Sequence, residues 1–149
     1  MNIQISDIGH IIQLSIAPVF LLTGVATKLT VLTNRLARII DRTRVLEDRL
    51  RTAPNGEYSE ELEMLYTRSR LINYAITSST ACGLLICLVI AMLFLSDVTD
   101  LPLAPVIAGF FVLAMVSLIS SFVNLQREIF IAARAMRERH IASLPQQAR

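Results

Sequence analysis

Tryptophan is absent from this chain, and histidine, cysteine, glycine and proline are scarce, at two, two, five and five among 149 residues. His10 and His140 lie at opposite ends of the sequence and no His-Glu-x-x-His pattern occurs, so neither a metal centre nor a haem is expected. Gly9, Gly24, Gly56, Gly83 and Gly109 are too dispersed to form a phosphate loop or a dinucleotide fingerprint. Cys82 and Cys87 sit in one apolar helix. Their spacing turns them roughly 140° apart, so they cannot pair with each other and read as small apolar fillers. The opening residues, MNIQISDIGH, lack a basic leader, and no A-x-A site follows the first apolar run, so no cleavable signal is expected. The most telling gap is in charge. Between Leu71 and Gln126 only Asp97 and Asp100 are ionic. A water-soluble domain would be left with too little polar surface, whereas lipid suits such segments.

The remainder is rich in apolar side chains: 54% hydrophobic against 17% charged, with a mean hydropathy of +0.57. The length is that of one domain, 1–149. Three apolar runs stand out at 8–32, 75–95 and 103–123, each near the ~20 residues that cross a hydrocarbon core. The first contains Pro18, which a membrane helix tolerates, and Lys28 near one end, whose long stem can reach the headgroups. Its apolar residues surround the whole circumference, which argues for spanning rather than lying on the surface. The intervening segments are 33–74, 96–102 and 124–149. All fourteen Lys and Arg lie between Lys28 and Arg70 or from Arg127 onward, while Asp7, Asp97 and Asp100 mark the other side. The positive-inside rule therefore places the N-terminus outside and the C-terminus in the cytoplasm. On this reading 33–74 is a cytoplasmic helical hairpin, 96–102 an outer turn, and 124–149 a cytoplasmic helix and tail. A net charge of +2, alternating about apolar spans, does not indicate nucleic-acid binding.

TNRLARIIDRTRVLEDRLR, Thr33 to Arg51, follows the first span with no Pro or Gly to stop the helix. From Ile8 to Leu50 one helix would run roughly 65 Å. Leu32, Leu36, Ile39, Leu46 and Leu50 share a face, and Arg35, Arg38, Arg42 and Arg49 form an adjacent stripe near Asp41, Glu47 and Asp48. RTAPNGEYS is a turn with Pro54 and Asn55-Gly56 as breakers, after which Ser59 can cap a second helix. Glu60, Glu61 and Glu63 read better as acids at that helix start than as a cation site. Leu62, Leu65, Ile72 and Ile76 carry its apolar face into the second span. For the third helix the predicted stripe is Phe122, Leu125, Ile129, Ala132 and Met136, ending in RAMRERH. The fold class is an all-α membrane protein: three long transmembrane helices, up-down-up, extending into a cytoplasmic helical bundle.

One polar stripe invites a functional reading. Thr23, Thr27, Thr30, Asn34, Arg38 and Asp41 follow one face of the first helix, nearly opposite Leu36 and Ile39. The second helix adds Asn73, Thr77 and Thr80, and the third Ser117, Ser121 and Asn124. Facing lipid is unfavourable for polar groups, so these faces should meet protein or water. As helix–helix glue their hydrogen bonds contribute only ~0.6–2 kcal/mol each. Around a ring of copies, Thr23, Thr27, Thr30 and Asn34 could instead line a pore. Lys28, Arg35, Arg38 and Arg42 are candidates for lipid headgroup or partner contacts, each worth ~1 kcal/mol against anionic lipid.

The run APVFLLTGVATKLTVLTNRLARIIDRTRVLE, Ala17 to Glu47, resembles a family of small bacterial membrane proteins catalogued as a domain of unknown function. The likeness rests on Pro18 to Leu22, Arg35 to Arg38 and Asp41 to Arg44, and extends over most of the chain. It implies a bacterial cytoplasmic membrane and supplies no activity. The functional expectation is a non-catalytic integral membrane protein without cofactor, a homo-oligomer acting as a membrane scaffold. The alternative is an oligomeric channel for ions or small solutes. Expected partners are the bilayer, further copies of the chain and anionic lipid.

Overall fold

The computed structural model describes residues 5–52, 56–99 and 102–143. Three helices account for nearly all of them: α1 (Ile5–Thr52), α2 (Gly56–Thr99) and α3 (Ala104–Ser143). Among the described residues there is no strand. Pro54, Asn55, Asp100 and the tail beyond Ser143 lie outside the description, as do the side chains of His10, Asp97, Met136 and His140.

α2 starts at Gly56, three residues before the Ser59 cap suggested by sequence, and continues through Ser96 to Thr99. Its last turn satisfies itself, with the Thr99 hydroxyl donating to the Leu95 carbonyl at 2.7 Å. Pro18 lies inside α1 and is buried. Its ring removes one backbone donor without ending the helix, as membrane helices permit.

The chain divides into two compact units. One holds α1 up to Val31 together with residues 76–121. Its core is Val25, Cys82, Ile86 and Ala114, packed by Leu22, Leu29, Leu85 and Leu118. The other holds the described residues of Leu32–Ala75 and those from Phe122 to Ser143. Leu32, Ile39, Leu46, Leu65, Ile72 and Ala75 are buried there.

Along α1 the buried positions Pro18, Val25, Leu32, Ile39 and Leu46 recur every seven residues. In α2 the steps alternate three and four, through Ile72, Ala75, Ser79, Cys82, Ile86 and Val89. A seven-residue repeat keeps one seam of a helix against its neighbours, as in coiled coils.

α3 departs from the predicted stripe. Phe122 and Ile129 are 53% and 40% exposed, Leu125 and Ala132 are half-buried, and the seam is Ala114, Ser121 and Glu128. Past the third span the buried Glu128, held by two arginines, takes the inner position and turns Ile129 outward. Within the span, a helix in lipid gains nothing by hiding leucine from it, so small residues such as Ala114 and Ser121 collect at helix contacts while bulky apolar ones face out. Phe20, Leu84, Val112 and Ile119 are all well exposed in the first unit. All three helices are long and apolar enough to cross a membrane.

Candidate functional site

Two polar constellations emerge from these seams. In the first unit, Lys28 of α1 donates from Nζ to Ser121 Oγ of α3 at 2.8 Å. Ser121 Oγ is also 2.7 Å from Ser79 Oγ of α2. Both serines are fully buried, so three helices meet at one hydroxyl. A helix turn away in α3, the Ser117 hydroxyl donates to the Ser78 carbonyl at 2.8 Å. Small side chains at 79, 121 and 114 allow the close approach that these bonds require.

The second unit is organised around Glu128. Its side chain is only 1% exposed, and each carboxylate oxygen has its own arginine. Arg35 Nη1 of α1 donates to Oε2 at 2.5 Å. Arg68 of α2 donates to Oε1 from Nε at 3.0 Å and Nη2 at 2.8 Å. The two arginine side chains remain 40% and 24% exposed, so their outer edges reach solvent while their tips hold the acid. A buried carboxylate needs such partners, since an unpaired one would be strongly disfavoured away from water. Two neighbouring contacts join α1 to α2. Arg42 donates from Nε and Nη2 to Glu61 Oε1 at 3.1 and 3.0 Å, and the Tyr66 hydroxyl donates to Glu47 Oε1 at 2.6 Å.

Arg35, Arg38, Arg42, Arg68 and Glu128 line one recess of about 290 Å³, with Ile39 and Leu65 as its apolar wall. In the first unit, Leu14, Pro18, Val89, Leu93 and Phe111 border a cleft of about 650 Å³, in which Ser96 is the one hydroxyl-bearing side chain.

The residues singled out from sequence distribute as follows. Thr23, Thr27 and Thr30 are exposed, and each hydroxyl donates to the carbonyl four residues earlier: Val19 at 3.3 Å, Thr23 at 3.0 Å and Ala26 at 3.3 Å. Asn34 is exposed and Asn124 half-buried. Ser117 and Ser121 instead turn inward, Ser121 meeting Lys28. Of the four basic candidates, Arg35, Arg38 and Arg42 share the recess, and Lys28 belongs to the serine cluster of the other unit.

Glu128 and Arg68 are the partners that sequence reasoning missed. The signal that could have found them is the seven-residue step Ala114, Ser121, Glu128, which puts an acid on the same seam as small residues. Among the described residues no group of three His, Cys, Asp or Glu is placed to hold a metal ion.

Three apolar helices with hydroxyl and ion-pair ties between them define a multi-pass membrane protein. Within that class the chain belongs to the family described as "Protein of unknown function (DUF2721)", whose model matches residues 15–138. No curated protein matches the chain, and no solved structure does.

Proposed function

We propose that this is a non-catalytic protein of the bacterial cytoplasmic membrane, N-terminus outside and C-terminus in the cytoplasm, which assembles with copies of itself as a membrane scaffold. The orientation rests on the confinement of Lys and Arg to 28–70 and 127–149. The non-catalytic reading draws support from the way the buried polar groups are engaged. Glu128 is held by two arginines, and Ser79 and Ser121 bond each other, so these groups act as ties between helices.

Self-assembly rests on the outward position of the α1 stripe. Thr23, Thr27, Thr30 and Asn34 are exposed, and Gly24 among them has open space where a side chain would stand. Threonines bonded to their own helix strand no donor. With a glycine they make the shallow surface on which membrane helices approach one another closely.

The test is particle mass in mild detergent and in nanodiscs, with cross-linking of Thr27→Cys in a chain otherwise free of cysteine. More than one copy per particle and a cross-linked dimer are expected. A single copy in both media would contradict the proposal.

The same outward hydroxyls favour a second reading, an oligomeric channel that they line. Flux through proteoliposomes should then fall for Thr27→Leu or Thr30→Leu. Wild-type vesicles no leakier than empty ones would reject the channel.

A further inference from the structure

We infer that the recess bounded by Arg35, Arg38, Arg42 and Arg68 is a binding site for a phosphate group, carried either by a lipid headgroup or by a free ion. Four guanidiniums and one carboxylate, Glu128, line the recess, and Glu61 pairs with Arg42; four cations against these two acids leave a net charge of +2. A phosphate dianion matches that charge, and its oxygens match the planar fork of arginine.

The site is held in shape before any ligand arrives. Glu128 fixes Arg35 and Arg68 through one bond to the former and two to the latter. Glu61 fixes Arg42 through two. Each guanidinium has five N–H donors, so every one of these arginines keeps several for an incoming oxyanion. Arg38 lies between Arg35 and Arg42 in the sequence, is exposed, and makes no ion pair among the described residues. It is the cation still available for a ligand. Side chains already immobilised lose little entropy on binding, which favours affinity. The first apolar run ends at Leu32, so Arg35 and Arg38 fall within the next two helical turns. Those turns suit the depth of lipid phosphates.

The experiment uses the full chain in phosphatidylcholine nanodiscs, titrated calorimetrically with inorganic phosphate in chloride buffer. A parallel arm measures retention of phosphatidate by native mass spectrometry. Arg38→Gln removes the unpaired cation without touching Glu128 or Glu61, and should weaken binding about tenfold or more. Arg44→Gln, which removes an arginine outside the recess, should leave binding unchanged.

Phosphate binding that is lost in Arg38→Gln supports a site open to the free ion. Phosphatidate retention alone, lost in the same variant, supports a headgroup site. No binding in either arm, or equal losses in the two variants, overturns the inference. Copy number, measured on the same particles, separates this result from the self-assembly proposal.

Discussion

With 1% of its side chain exposed, Glu128 joins all three helices through Arg35 and Arg68. Removing it frees two guanidiniums that already touch water, so Glu128→Gln should cost about 1–3 kcal/mol. Removing both arginines is worse, because it leaves a buried carboxylate unpaired, and Arg35→Gln with Arg68→Gln should cost about 3–5 kcal/mol. Adding Glu128→Gln to that double variant should recover much of the loss. Unfolding in mixed micelles, run as a mutant cycle, measures all three, and independent additive costs would count against the clamp.

Arg35 and Arg38 drew attention from sequence alone because cations cluster beside an apolar run. Glu128 did not, since a single acid beside Arg127 reads as an ordinary solvated pair. Its one mark in the sequence is the seven-residue step from Ala114 through Ser121, and the packing of α3 shows that this step is the inner seam.

Along the helices, the inner face of α1 was legible in advance: Leu32, Ile39 and Leu46 are buried as their spacing predicts. The same holds for Leu65 and Ile72 of α2. For α3 apolar periodicity misled, because Ser121 and the ion-paired Glu128 hold the inner seam and leave Phe122 and Ile129 outward. Helix ends were the least legible. Gly56 and Ser96 are turn formers by propensity, yet both are helical here.

Inner and outer positions of the first unit should respond differently to substitution. At Gly83 an added Cβ would stand 3.7 Å from Leu22 Cδ1 and 3.8 Å from Val25 Cγ1, which is ordinary contact. Gly83→Ala should therefore raise stability by about 0.5–1 kcal/mol, since helical glycine is entropically costly. Gly83→Leu should lower it by overfilling the same space. Ser121→Ala removes the hydroxyl shared by Lys28 and Ser79 and should destabilise by ~1–2 kcal/mol. Thr27→Val, on the exposed stripe, should stay within ~0.5 kcal/mol. Thermal unfolding in detergent, followed by circular dichroism, ranks these variants, and a Thr27→Val loss equal to that of Ser121→Ala would contradict the assignment of inner and outer faces.

For the whole molecule, segregation of charge is the dominant constraint. Phe20, Leu84, Val112 and Ile119 would make an unsuitable surface in water, and bilayer hydrocarbon accommodates them. The central claim is that three apolar rods cross a membrane and leave the arginine-bearing segments on one side of it. Accessibility of single cysteines tests this most directly. In a Cys82→Ala, Cys87→Ala background, a membrane-impermeant maleimide is applied to intact cells carrying Thr99→Cys or Gly56→Cys. The account predicts that position 99 reacts from outside and position 56 only after lysis. Reaction at both positions in intact cells, or the reverse pattern, would contradict it.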